Sequence, residues 1–297
     1  MKTILLIGKT GQVGFELERA LAPLGQLVAP GRAELELTSA VSIRSAVRAV
    51  RPDIIVNAGG FTIVDAAESD PELAMQLNGV APGILAESAA ETGALLIHYS
   101  TTFVFDGTKN TPYTEEDEPN PVNAYGRSKL AGERAVMAAG GHSLILRASW
   151  VYSDRRTNFV LAMLKLARSR PELKVVDDQI GAPTWARDYA DATAALLANP
   201  ARLREAPGIY HLSARSYCSR LQWAKRVIDG AKKCSGLATG WADLLPTTTA
   251  LYPHPAPRPL YTATDNRKIE AAFGLTMPAW EERVDAFMPT LAWDRVI

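Results

Sequence analysis

Thr3-Ile4-Leu5-Leu6-Ile7-Gly8-Lys9-Thr10-Gly11-Gln12-Val13-Gly14 decides the fold class. Its first five residues form an apolar, mostly branched run, the pattern of a short strand buried on both faces of a parallel sheet. Glycines at positions 8, 11 and 14 come directly after it. They permit a tight turn, close backbone approach to a pyrophosphate, and close packing of the next helix on the strand. From Val13 to Leu21 the apolar residues recur at helical spacing. A glycine triplet between a first strand and a first helix points to dinucleotide binding, with Gly8, Gly11, Gln12, Val13 and Gly14 as its residues.

The alternation continues with a strand at 27–29, a helix over 39–50, a strand at 53–57, one helix through 72–92 and a strand ending at Ser100-Thr101. Repeated βα units predict an α/β protein with a Rossmann-like, doubly wound parallel sheet. Ligands of such sheets gather at the carboxyl ends of the strands, which places residues 8–14, 57–62 and 100–102 along one edge. An acidic residue about 20 positions past the glycine loop normally accepts a ribose 2′-hydroxyl, whereas arginine suits a 2′-phosphate. Here the stretch reads Ala29-Pro30-Gly31-Arg32. Arg32 therefore favours NADPH, while Glu34 and Glu36 leave NADH possible.

A second stretch carries chemistry. In Tyr125-Gly126-Arg127-Ser128-Lys129, helical spacing puts the phenol and the ammonium on one face. An adjacent ammonium favours the phenolate and so eases proton donation. Tyr-x-x-x-Lys alone is also compatible with an ordinary surface helix, and the strand–helix context is what favours a site. The segment before it, 106–123, is rich in Pro, Glu, Asp and Asn and reads as a surface excursion beside that site.

Beyond Trp150 the alternation weakens. Residues 143–152 read as a strand and 158–170 as a helix, but Gly181-Ala182-Pro183 and the proline-rich 253–259 interrupt the C-terminal half. The organisation expected is a nucleotide-binding domain over 1–150 and a smaller α/β substrate lobe over 151–297, with 208–212 returning to the large sheet.

Composition sets the limits. The 297 residues are 47% hydrophobic and 22% charged, enough for a large core. Thirty-two basic residues balance thirty-two acidic ones, which recommends neither nucleic acid nor an anionic membrane. Two cysteines and four histidines form no metal spacing. The apolar run behind Lys2 is too short for a signal peptide, so a cytoplasmic protein with reduced thiols is expected.

The glycine loop, Asn57-Ala58-Gly59-Gly60, Ser100-Thr101 and Tyr125–Lys129 together resemble the extended short-chain dehydrogenase/reductases. Thr62-Ile-Val-Asp-Ala-Ala-Glu68, Ser149-Trp-Val-Tyr152 and Gly181-Ala-Pro-Thr184 narrow the resemblance to the dTDP-4-dehydrorhamnose reductase family, over essentially the whole chain. The resemblance implies NAD(P)H-dependent reduction of the 4-keto group of dTDP-4-dehydro-β-L-rhamnose, giving dTDP-β-L-rhamnose for polysaccharide synthesis. It gives Gly11, Gln12 and Val13 the cofactor diphosphate, Glu36 and Leu37 the adenine, and Gly60, Phe61, Thr62 and Tyr99 the ribose and nicotinamide. Tyr125 becomes the proton donor, with Lys129 stabilising its phenolate and holding the nicotinamide ribose. Thr101 polarises the carbonyl. Thr101, Thr102 and Trp150 fall on the substrate side.

The chain also departs from the family. Thr102-Phe103 stands where most members carry Asp-Tyr, and where related dehydratases carry Asp-Glu for removing water. A dehydratase is thereby disfavoured. A reductase or epimerase of a neighbouring nucleotide sugar remains compatible, as does a non-catalytic NADP-binding regulatory subunit. Some bacterial members form dimers around magnesium held by acidic side chains. Glu16 matches one such acid, but Arg187 and the neighbourhood of Thr290 stand at the others, so the expectation is a monomer or a homodimer that needs no metal.

Overall fold

The computed structural model describes residues 1–297. The first half runs β1 (Thr3–Ile7), α1 (Gln12–Leu21), β2 (Gln26–Val28), α2 (Ala40–Val50), β3 (Ile54–Asn57), α3 (Val64–Ser69), α4 (Pro71–Met75), a π-helical turn (Gln76–Val80), α5 (Ala81–Thr92), β4 (Leu95–Thr101), α6 (Ala124–Ala138) and β5 (His142–Ala148). Local chemistry sets several boundaries. Ser39 caps α2 by accepting from the Ser42 amide, and left-handed Gly93 ends α5.

Two expectations change here. The apolar run 72–92 is not one helix: α4 gives way to the π-helical turn before α5. Pro82 removes a backbone donor from this stretch, and the widened turn accommodates close packing on α6, where a Cβ at Gly132 would lie 2.0 Å from the Asn78 carbonyl oxygen. The strand expected over 143–152 is also split. Trp150 takes a left-handed φ of 43°, which separates β5 from the short β6 (Val151–Tyr152).

The second half continues with α7 (Phe159–Ser169), β7 (Glu172–Val176), β8 (Ile180–Gly181), β9 (Thr184–Trp185), α8 (Ala186–Leu197), α9 (Pro200–Glu205), β10 (Gly208–His211), β11 (Cys218–Ser219), α10 (Arg220–Cys234), β12 (Asp243–Thr247), α11 (Arg267–Phe273) and α12 (Trp280–Phe287). Six strands form one parallel sheet in the order β10-β5-β4-β3-β1-β2. The sheet thus takes its last strand from beyond residue 150. Ile4, Leu6, Ile54, Val56, Leu95, Ile97, Leu144 and Leu146 face α1 and α8 on one side. Leu5, Ile7, Ile55, Leu96 and Ile145 face α2 and α5 on the other. That period of two, with both faces covered, is the doubly wound architecture. A separate core, centred on Tyr152, Leu164, Trp223 and Phe287, unites α7, α10 and α12. No helix is long and apolar enough to cross a membrane.

Toward the strand ends, the sheet face under α6 turns polar. Asn57 contacts His98 at 3.2 Å, Ser100 donates to Glu133 of α6, and Arg147 donates to the same carboxylate at 2.8 and 2.6 Å. Glu133 and Arg147 are each 1% exposed. Burying such a pair is compensated only while both partners are present. We expect Glu133→Ala to destabilise the protein by about 3–5 kcal/mol in urea unfolding, because it strands the Arg147 charge. The additional change Arg147→Met should recover most of the loss.

Candidate active site

The strand order reverses beside β1, between β2 and β3, and the loops after β1 and β3 meet there. Gly8 has φ of 87°, and a Cβ on it would come within 2.6 Å of the Ala58 and Gly59 backbone. A Cβ at Gly14 would lie 2.0 Å from the Gly8 oxygen. Only glycine fits at either place. Gly11 caps α1 without any side-chain acceptor, so the amides of the first turn, at Gln12, Val13 and Gly14, lack helical partners. They form a cradle for an anion at a helix N-terminus, which fits a dinucleotide's diphosphate. The Gln12 side chain accepts from Ser153 and Asn158, both at 3.0 Å, and ties the β6–α7 loop to this cradle.

At the end of β2, Lys9 donates to the Ala29 carbonyl at 2.6 Å, and Arg32 is exposed. Glu34 folds back onto the Gly31 amide at 2.6 Å. Glu36 accepts from the Thr38 amide and hydroxyl. Leu37 lies against Gly59, between this loop and the crevice.

Tyr125 and Lys129 both lie on α6. Asn123 caps that helix by accepting from the Gly126 amide at 2.8 Å, and Glu68 accepts from the Ala124 amide at 2.8 Å. Gly126 is needed because a Cβ there would lie 2.2 Å from the Phe103 carbonyl oxygen. Thr101 ends β4, and its hydroxyl oxygen accepts from the Phe103 amide at 3.2 Å, leaving its own proton free to donate. Phe103 meets the Tyr125 ring edge-on, with centroids 6.0 Å apart. Burial pushes the Tyr125 phenol above its usual range, and the Thr101 hydroxyl opposes that shift.

Lys129 departs from the simple expectation. Its ammonium donates to the Tyr99 carbonyl at 2.6 Å. Burial lowers its pKa to about 8, with Glu133 pulling the other way. The ammonium thus lies against the end of β4.

The remaining expected residues lie at different depths. Thr102 is fully buried and its hydroxyl has no partner, so its side chain backs the site wall and is closed to a substrate. The Tyr99 phenol bonds Thr193 at 2.8 Å and packs on Tyr189; its carbonyl is what holds Lys129. Thr62 is exposed at the crevice mouth. Trp150 is half-buried, pressed against Gly181 and stacked 5.6 Å from Trp223. Glu16 is bonded within the chain, by Arg19 at 3.0 Å and Arg187 at 3.4 Å.

Asn78 is the chief residue that sequence reasoning missed. Its side-chain oxygen accepts from the Phe61 amide at 2.8 Å, and its nitrogen donates to the Phe61 carbonyl at 2.9 Å and the Ser128 hydroxyl at 3.0 Å. It clamps the Gly60-Phe61 loop to the turn of α6 that bears Lys129. A polar residue between Leu77 and Pro82, in an otherwise apolar helix pattern, was the available signal.

Comparison with known proteins agrees with this layout. The family described as "RmlD substrate binding domain" matches residues 1–292. The chain belongs to that family. The dTDP-4-dehydrorhamnose reductase of Burkholderia thailandensis is 44% identical to it over 95% of this chain and 96% of the relative. The Salmonella typhimurium reductase of the same name is 43% identical over 94% of each. Among solved structures, the dTDP-4-dehydrorhamnose reductase of Bacillus anthracis, determined with NADP, superposes with a TM-score of 0.88 at 31% identity, covering 96% of this chain and 98% of that one.

The lowered Lys129 pKa makes a measurable statement. The ammonium is charged below about 8 and neutral above it, and neutralisation removes a cation from the crevice. NADP affinity is therefore expected to fall as pH rises through about 8, and Lys129→Arg, whose side chain stays charged, should flatten that titration. A midpoint near the ordinary lysine value of about 10.4 would contradict the burial argument.

Proposed function

We propose that the chain catalyses NAD(P)H-dependent reduction of the 4-keto group of dTDP-4-dehydro-β-L-rhamnose to give dTDP-β-L-rhamnose. The observation that carries this reading is the meeting of Thr101, Tyr125 and Lys129 beside a glycine-lined crevice, in a member of this family. When bound, the nicotinamide supplies the hydride to the sugar carbonyl carbon. The amides of residues 11–13 hold the diphosphate, with Gly8 and Gly14 shaping the cradle. Leu37 and Glu36 border the adenine, and Gly60, Phe61 and Thr62 line the way to the nicotinamide. Tyr125 gives its proton to the carbonyl oxygen, so negative charge does not accumulate there. Thr101 donates its remaining hydroxyl proton toward the same oxygen. Lys129, charged below about 8, supplies positive charge from the same helix face as the phenol. Residues 151–297 mainly supply the substrate side, with Trp150 at the boundary.

The loop after β2 supports a preference for NADPH over NADH. Lys9 and Arg32 are the cations near a 2′-phosphate, while Glu34 and Glu36 are engaged with Gly31 and Thr38. Whether the chain acts as a monomer or a homodimer, magnesium is not required, since Arg19 and Arg187 already hold the Glu16 carboxylate.

One assay tests these statements together: oxidation of reduced cofactor by the purified protein with the 4-keto sugar nucleotide. Wild type should turn over with a higher kcat/KM for NADPH than for NADH, with Arg32→Ala narrowing the gap, and chelator should change neither turnover nor sedimentation. Equal efficiencies in wild type would reject the preference, and chelator-induced dissociation the metal independence. Tyr125→Phe should bind NADPH nearly normally yet turn over about a hundredfold or more slowly. Near-normal turnover, with chemistry rate-limiting, would remove Tyr125 as the donor, and no oxidation by wild type would reject the reaction.

A further inference from the structure

Beside the candidate site, one cation is held without a partner anion. Arg220 is the first residue of α10, and its guanidinium carbon lies 3.7 Å from the ring centroid of Trp150, 4.9 Å from that of Phe159 and 5.5 Å from that of Trp223. Trp150 and Phe159 are each stacked on Trp223, at 5.6 and 4.6 Å with interplanar angles of 12° and 23°. The three rings make one slab, and the arginine rests on it by cation–π contact. No side-chain hydrogen bond or ion pair within the chain takes the guanidinium. Its charged neighbours include a second cation, Arg258, which is itself bonded to Asp65 at 2.8 Å. Asp65 is thus taken up by Arg258 and leaves Arg220 unanswered. Burial lowers the Arg220 pKa, but an arginine stays charged at neutral pH.

Such an arrangement is unfavourable unless something answers the surplus charge, because aromatic faces return only part of the lost hydration. Stacking on the rings pre-organises the fork, and its N–H groups remain available for two oxygens of one anion. The position says which anion. Trp150 lies two residues beyond Ala148, the partner of Thr101 in the sheet, so the slab borders the candidate reacting groups. The glycine cradle lies at the end of β1 and meets an anion with its own amides, while Trp150 follows β5, three strands away in the sheet order. An anion on Arg220 would therefore be a second one, separate from the diphosphate of the dinucleotide.

We infer that Arg220, laid on the Trp150–Trp223–Phe159 slab, binds the diphosphate of the nucleotide-sugar substrate, an assignment that rests on the reaction proposed above. The guanidinium takes the substrate's phosphate oxygens while Thr101 and Tyr125 address its sugar. Arg220 is then a binding residue and takes no proton in the reaction.

The test is calorimetric titration of the NADP-saturated full chain with thymidine, dTDP, UDP and GDP, using wild type, Arg220→Met and Arg220→Lys. A thermal melt monitors folding, and Arg220→Gln repeats the charge removal if the methionine variant does not fold. Arg220→Met should lose roughly 10- to 100-fold in dTDP affinity, as expected for charge-assisted hydrogen bonds. Thymidine and NADP affinities should be unchanged, and Arg220→Lys should recover part of the loss. If dTDP affinity is unchanged in the charge-removing variant, or if thymidine affinity falls by the same factor, the assignment is overturned. Should wild type bind UDP or GDP in place of dTDP, and the variant lose that affinity, Arg220 keeps its role and the thymidine base proposed above is wrong. Wild type that binds none of the three diphosphates overturns the assignment.

Discussion

The buried pair Glu133–Arg147 is the constraint on which the site geometry depends. Glu133 lies one turn beyond Lys129, which lies one turn beyond Tyr125, so the three share a face of α6. Fixing the carboxylate onto Arg147 of β5 and Ser100 of β4 fixes the rotation of the helix and its height over the strand ends. A hydrophobic contact would be less directional. Two charges in a dry interface tolerate little sliding, since any separation leaves both without solvent. The polar ladder extends sideways, from Arg147 to His211 at 3.5 Å and from Asn57 to His98. Burial holds the pKa of both histidines well below its ordinary value, so they add polarity under the helix without adding charge.

Around that anchor the second half of the chain is bound to the first by specific polar contacts. The Pro257 carbonyl accepts from Asn123 at 2.8 Å, Asp65 receives both the Ala256 amide and Arg258, and the Tyr113 amide donates to the Ala263 carbonyl at 2.9 Å. The proline-rich stretch thus joins the N-terminus of α6 to the lobe that carries the aromatic slab. Proline suits this part because it limits backbone freedom at little enthalpic cost where amides have no ladder to join. Cofactor-side and substrate-side groups are held in one frame through a few residues at the mouth of the crevice.

Much of this was legible in the sequence wherever the physics is local. The apolar run of β1 with three glycines behind it has few other structural solutions, and Tyr125 and Lys129 share a face by helical arithmetic. The hidden features depend on long-range pairing or on a single torsion. Nothing in the pattern of 143–152 signals that Trp150 turns left-handed, since the stretch keeps its strand-like composition through the break. Thr102 read as a strand-end residue facing the crevice, but the 3₁₀ turn after Thr101 buries it. Asn78 and Arg220 each become meaningful only when the partner surface is known: in one case the Phe61 backbone, in the other a slab assembled from the turn after β5, α7 and α10.

The π-helical turn over Gln76–Val80 has a consequence for how this segment tolerates change in length. A wide turn of this kind holds one residue more than the α-helix would need for the same rise. Deleting a single residue here would let the backbone relax to regular geometry and leave the flanking turns of α4 and α5 nearly in phase. Only the residues of the turn itself would be re-aimed, and Asn78 would swing away from Phe61 and Ser128. The irregularity is therefore local: it aims one amide at the Phe61 loop while the helices on either side keep their packing.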